Sequence, residues 1–219
     1  KDKRLFKSLD IDLQKVGISI DFLYGLQSYI GTESKEELLK IDKYITDFKE
    51  EKLRKIPTMF LFGKTSRQKT TLTKVLITNL ILNKYKNIKF ILTEDLLNIL
   101  YTVDRGSFIE KPEANKKIEE YKNADLLILD DFSKCTIWSQ CKDQVKWLFN
   151  FLKDYMENIC NPIIFTSNSN LKESCDLYHK DKDFYSLLQR NCENRVFEFK
   201  DHFQYSSESI DNMFKNKNI

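Results

Sequence analysis

Between Met59 and Thr71 the chain reads MFLFGKTSRQKTT. Met59, Phe60, Leu61 and Phe62 have the length and apolar character of a short buried strand, and Gly63 ends it. Lys69, Thr70 and Thr71 then open a long apolar segment that predicts a helix. Strand, loop, Lys-Thr and helix is the layout of a phosphate-binding loop, in which inward-pointing backbone N–H groups and a helix N-terminus hold an anion. The lysine of such a loop reaches the outer phosphates and the hydroxyl after it holds Mg2+. The pattern asks for two glycines: Gly63 supplies the first, and Gln68 stands where the second belongs. A side chain there meets a backbone geometry that glycine tolerates easily, and it crowds the phosphate. Two readings stay open at this point, a loop that grips nucleotide through Gly63, Lys64, Thr65, Ser66, Arg67, Gln68, Lys69, Thr70 and Thr71, and a loop that has lost it.

The rest of the chain alternates in the same way. Ser34-x-x-Glu37 is a capping box for a helix to about Arg54, with Leu38, Ile41, Ile45 and Phe48 at helical spacing, stopped by Pro57. Ile88–Leu92 reads as a second strand, Glu94–Val103 as a helix, and Arg105–Asn123 as a polar loop followed by a solvated helix. Leu126–Leu129, Pro162–Thr166 and Arg195–Phe199 read as further strands. Helices are expected over Asp143–Glu157 and Phe184–Glu193. Strands separated by helices predict an α/β fold, a parallel sheet with helices on both faces. Residues 1–33 read as an arm or a short strand-and-turn segment, 34–199 as the core, and 200–219 as a polar tail.

Composition removes several classes. The chain has 219 residues, enough for one sizeable domain and an appendage, and 41% hydrophobic with 32% charged residues describes a globular, soluble protein. No apolar run approaches the roughly 18–20 residues of a membrane span. The N-terminus KDKRLFKSLD lacks the apolar core of a secretory signal, and its start without Met implies a processed or trimmed chain. Five cysteines without a C-x-x-C pair, and only two histidines, argue for reduced cytoplasmic thiols rather than a metal centre. The net charge of +3 says nothing about nucleic acid.

Three more constellations carry chemistry. Leu126-Leu127-Ile128-Leu129-Asp130-Asp131 is an apolar strand ending in two acids: Asp130 suits a Mg2+ ligand and Asp131 a general base for an attacking water. Read alone it is equally a strand meeting solvent at an acidic turn. It lies about sixty residues beyond Lys69, room for the helices and the one strand that a shared parallel sheet requires. Pro162-Ile163-Ile164-Phe165-Thr166-Ser167-Asn168 ends a strand in polar side chains, with Asn168 placed to orient water; otherwise these residues start a loop. Arg190 precedes the last strand, and Arg195 begins it; a lone arginine on a helix is ordinarily a solvated charge.

Jointly these motifs resemble the DnaC/DnaI-type helicase loaders and the related IstB transposition ATPases of the AAA+ class. The resemblance runs from about Gly17 to Phe199 and rests on Lys43-Tyr44-Ile45-x-x-Phe48, LFGKTSRQKTTL, LLILDDF, IIFTSN and the arginine before the last strand. It implies an AAA+ P-loop NTPase with a five-stranded parallel sheet and no full C-terminal lid domain, using ATP and Mg2+. Thr70 and Asp130 would hold the metal, Asp131 and Asn168 would serve catalysis, and Arg190 would be an arginine finger acting on a neighbouring subunit. It further implies a spiral oligomer that binds single-stranded DNA and delivers a replicative helicase, with weak, assembly-dependent hydrolysis. The excursion carrying Arg105, Lys111, Lys116 and Lys117 would face DNA, with Phe108 and Tyr101 near enough to stack, although Tyr101 suits core packing better; a solvated lysine-rich helix is the alternative. Gln68, the lack of an arginine after the last strand, and the short amino-terminal region all depart from the family pattern. A transposition helper, and a degenerate interaction module without hydrolysis, remain the competing functions.

Overall fold

A computed structural model of the protein describes residues 2–19, 58–64, 69–82, 87–134, 143–178, 182–193 and 195–199. The strands are β1 (Met59–Phe62), β2 (Ile88–Leu92), β3 (Leu126–Asp130), β4 (Ile163–Ser167) and β5 (Val196–Glu198). All described pairings are parallel, in the order β2-β3-β4-β1-β5. The helices are α1 (Asp2–Val16), α2 (Lys69–Leu82), α3 (Thr93–Arg105), α4 (Lys111–Lys122), α5 (Asp143–Lys153), α6 (Leu171–Asp176) and α7 (Lys182–Cys192). A π-helical turn over Asp154–Asn158 ends α5.

The apolar runs of the sequence are strands covered on both faces. Successive side chains of β1, β3 and β4 point to opposite sides. Phe60, Leu127, Leu129, Ile163 and Phe165 join one core with residues of α3, α5, α6 and α7. Met59, Leu61, Leu126, Ile128 and Ile164 join a second core with Leu76, Ile77 and Leu80 of α2. The first core is rich in rings: Phe132 meets Phe165 edge-on at 5.0 Å, and Tyr178 stacks on Phe184 at 4.8 Å.

Residues 2–16 correct the expectation of an arm or a strand-and-turn segment: they are helical. Leu13 and Val16, with Ile18 just beyond, are buried in the second core, and α1 packs on α2 and β2. Each such side chain taken from water contributes about 1.5–3 kcal/mol. Gly17 ends α1 at φ +94°, its N–H donating to Gln14 O at 3.0 Å. A Cβ there would sit 2.9 Å from Phe90 O, so glycine serves both the turn and the approach to β2. The helix expected over residues 34–54 and the tail from 200 lie outside the described residues.

Candidate nucleotide site

The carboxyl ends of β1, β3 and β4 lie side by side, so three segments distant in sequence converge. β1 delivers Gly63, whose N–H donates to Ser167 O at 3.2 Å. Gly63 has φ +157°, and a Cβ would come 2.4 Å from Phe199 O. The first glycine of the motif is therefore required by the close passage of the chain after β5. Residues 65–68, including Gln68, lie outside the described residues. Lys69 is the first residue of α2.

Lys69 is only 5% exposed, and its ammonium donates to Gly63 O at 2.7 Å, Lys64 O at 3.1 Å and Asn168 Oδ1 at 3.2 Å. A buried ammonium needs such partners. These three acceptors are neutral, and an arriving phosphate oxygen would add an opposite charge to the hydrogen bond. Thr70 donates to both carboxylate oxygens of Asp130, at 2.9 and 3.0 Å. Thr71 follows, half-buried on the same helical turn.

Asp130 is 2% exposed. Burial pushes its carboxyl above the ordinary carboxylate range, while hydrogen bonds from Thr166 and Thr70 pull the other way. Thr93 donates to its backbone oxygen at 2.9 Å. A hydroxyl and a carboxylate already in contact form the oxygen donor set that Mg2+ takes from a protein, the remainder coming from water and phosphate. Among the described residues no cluster of three or more His, Cys, Asp or Glu offers a metal a full protein cage. The donors present thus fit a Mg2+ that arrives with nucleotide.

Asp131 adopts φ +54°, an uncommon conformation for a residue with a side chain. Its N–H donates to Thr166 Oγ1 at 3.0 Å, and its carboxylate pairs with Lys134 at 2.8 Å. The Asn168 N–H donates to Ser133 Oγ at 2.9 Å, tying the turn after β3 to the end of β4. A cavity of about 560 Å³ opens beside the acids, lined among others by Thr70, Lys74, Phe90, Asp95, Tyr121 and Asp130.

Gly63, Lys64, Lys69, Thr70, Asp130, Asp131 and Asn168 are therefore gathered in one place. The other candidates are elsewhere. Arg190 is exposed on α7, ion-paired with Glu157 of the π turn, and Arg195 faces Glu193 at 3.9 Å. Arg105 pairs with Asp104 and Asp143 at 2.8 and 2.9 Å, Lys117 with Glu113 at 3.0 Å, and Lys111 caps Asp104 O at 2.8 Å. Lys116 is exposed, with no partner among the described residues. Tyr101 packs edge-on against Trp147 at 6.1 Å, whereas Phe108 and Ile109 stand 94% and 86% exposed at the tip between α3 and α4. Sequence reasoning missed Thr93, Ser133, Lys134 and Ile109, and gave Thr166 no role of its own. Thr166 was signalled only by its place in IIFTSN, one residue inward of the strand end.

A parallel sheet of this order, with a lysine–threonine helix start after β1 and an acid-tipped β3 one strand removed across β4, defines the AAA+ type of P-loop NTPase fold. Solved structures share it. DnaI matches at TM-score 0.59 with 16% identity, over 81% of this chain and 93% of that one. The DnaC helicase loader matches at TM-score 0.56 with 20% identity, over 78% and 95%. AMPPCP-bound DnaA from Aquifex aeolicus matches at TM-score 0.59 with 17% identity, over 89% of this chain and 55% of that one. The chain thus spans about half the length of the DnaA structure. The sequence matches no protein-family model and no curated protein. No helix among the described residues is long and apolar enough to cross a membrane.

Proposed function

We propose that the protein is an ATP-binding AAA+ protein of DNA replication that loads a replicative helicase, binds single-stranded DNA, and hydrolyses ATP weakly when assembled into a spiral oligomer. The observation carrying the nucleotide reading is the pairing of Lys69 with Asn168 and of Thr70 with Asp130 at adjoining strand ends. The loader reading is supported by likeness in fold to DnaI and the DnaC helicase loader, each covered almost completely by this chain.

In this reading Lys69 exchanges a neutral acceptor for a β- or γ-phosphate oxygen. Thr70 and Asp130 would hold Mg2+, which when bound would supply neutralisation of the charge developing on the transferred phosphoryl group. Asp131 accepts the proton of the attacking water, and Asn168, held by Ser133, orients that water. The sequence motif assigns Thr65, Ser66, Arg67, Gln68 and Thr71 to nucleotide binding as well. Arg190 leaves Glu157 to reach a neighbouring subunit's site, which makes hydrolysis depend on assembly.

For DNA, the exposed Phe108 and Ile109 offer a stacking surface, and Lys116 a free charge for phosphate. Between Asp104 and Lys122 acids and bases are equal in number, so this surface reads bases by stacking more than it attracts backbone by charge.

Calorimetry of the full chain with ATP and Mg2+ tests the nucleotide reading: heat of binding is expected at millimolar nucleotide, and a folded protein giving none sinks it. Co-purification with a replicative helicase, rather than a transposase, separates a loader from a transposition helper. Gln68 favours one further reading, an interaction module that binds nucleotide without hydrolysis. Unchanged nucleotide under assembling conditions would support it.

A further inference from the structure

Thr166 lies fully buried on β4 and touches both acids of β3. Its hydroxyl donates to Asp130 Oδ1 in a short contact and accepts the backbone N–H of Asp131 at 3.0 Å. The amide can only donate, so the one hydroxyl proton is committed to Asp130. The Thr166 carbonyl meanwhile accepts the N–H of Phe132 at 2.7 Å. One residue thus fixes the orientation of the Asp130 carboxylate and anchors the left-handed turn that presents Asp131.

We infer that Thr166 is a positioning residue that couples the metal-binding carboxylate to the general base, an inference that rests on the nucleotide reading above. In the structure Thr70 spends its proton on Asp130. A hydroxyl that ligates Mg2+ offers the metal a lone pair and must redirect that proton. Asp130 then keeps Thr166 as its hydroxyl donor, and the carboxylate is held before and after the metal arrives. The same side chain holds Asp131 in a backbone conformation that residues with a Cβ seldom adopt. Metal capture and the aim of the base are therefore set by one fully buried hydroxyl.

The test compares the full-length wild type with Thr166→Val, which keeps the shape and deletes the hydroxyl, and with Thr166→Ser, which keeps both hydrogen bonds. Calorimetry measures ATP affinity in EDTA and in Mg2+, and hydrolysis is followed across Mg2+ concentration. Thr166→Val is expected to bind ATP in EDTA as the wild type does. It should need about tenfold more Mg2+ and lose about tenfold or more in kcat, the effect of one hydrogen bond to a charged group. KM at saturating Mg2+ should hold, and Thr166→Ser should restore all three. The Asp131 amide of the wild type should exchange slowly with solvent deuterium, with and without nucleotide. A Thr166→Val protein with wild-type Mg2+ requirement and kcat overturns the inference alone, provided the wild type binds ATP. A wild type that binds no nucleotide overturns both readings. Rapid exchange of the Asp131 amide overturns the inference without any variant, which covers the case of a Thr166→Val chain that does not fold.

Discussion

The Thr70 hydroxyl reaches both carboxylate oxygens of Asp130, at 2.9 and 3.0 Å, across sixty residues of chain. The contact ties the first turn of α2 to the tip of β3, and it costs the fold something, because Asp130 is buried and its carboxyl is pushed upward by that burial. A carboxyl held above its unfolded pKa binds its proton more tightly in the native state. Stability therefore falls as pH rises from the unfolded value through the folded one, and the loss is complete above it.

Asp130→Asn should remove that penalty while keeping an acceptor for Thr166 and Thr70. Nucleotide-free Asp130→Asn is expected to melt higher than wild type at neutral pH, with the gap closing in acid. In a domain of this size about 2–4 °C in Tm corresponds to ~1 kcal/mol. The same variant should lose Mg2+-dependent nucleotide binding. A lower Tm at pH 7 would show that Asp130 stabilises the fold through contacts the substitution cannot replace.

Lys69→Ala should weaken ATP binding about 10- to 100-fold, the range expected for one hydrogen bond to a charged group. The ammonium is nearly buried and already aimed by Gly63, Lys64 and Asn168, so little ordering is left to do on binding. Asn168→Ala should weaken binding by much less and lower hydrolysis more, since Asn168 Oδ1 is only one of the acceptors that hold the lysine. Calorimetry and a phosphate-release assay separate the two effects.

These contacts also show how far the sequence could be read. The strands and their parallel sheet were legible because β1, β3 and β4 are apolar on both faces, and such runs fit little else in a chain rich in helices; the order of the strands was not, since no local pattern says which strand lies beside which. Lys69, Thr70 and Asp130 were legible as a set because each sits at a strand or helix end marked by a change of residue type. The helix at Asp2–Val16 was not, since Leu9, Leu13 and Val16 are scattered among lysines and aspartates, and only the face of α2 and β2 shows what they pack on. Thr166, Ser133 and Thr93 escaped for another reason. Their partners lie on different strands, and no local pattern announces a hydrogen bond between residues some thirty-five apart. The Arg190–Glu157 pair is of the same kind.

Lys134 should restrain Asp131. Their 2.8 Å ion pair is half-exposed, so it is weak and screened, but it occupies the carboxylate that, on the proposed reading, would accept a proton from water. Lys134→Ala is expected to raise hydrolysis by a few-fold at low salt, with the advantage shrinking toward 1 M salt, where the Debye length is about 3 Å. Rates measured across a salt series check it; a Lys134→Ala enzyme slower than wild type at every salt would make Lys134 part of the catalytic apparatus instead.

Thiol reactivity offers a check on the core that involves no nucleotide. Burial pushes Cys175 and Cys192 up to about 12, so at pH 8 neither presents an appreciable thiolate, and neither is open to reagent. Cys160 is exposed. Iodoacetamide at pH 8 followed by peptide mass mapping should label Cys160 and leave Cys175 and Cys192 at least about tenfold slower. Raising the pH through 9 should not close the gap while the fold persists. Prompt labelling of Cys192 would place α7 away from the sheet.

The tip between α3 and α4 makes the sharpest claim about DNA. Ser107 and Glu110 close it: the Ser107 hydroxyl and N–H both donate to the Glu110 carboxylate, at 2.6 and 3.0 Å. Phe108 and Ile109 are therefore held outward by a built turn, at a large hydrophobic cost in water that contact with a base would offset. Phe108→Ala should weaken binding to an oligothymidine by about 5- to 150-fold, the equivalent of one stacked base at roughly 1–3 kcal/mol, without changing the salt slope. Lys116→Ala should do the reverse, a small loss of affinity with a slope reduced by about 0.7 for a single-stranded phosphate contact. Fluorescence anisotropy over a salt series distinguishes the two signatures. If Phe108→Ala binds as the wild type does at every salt, the exposed ring faces a protein partner rather than the nucleic acid.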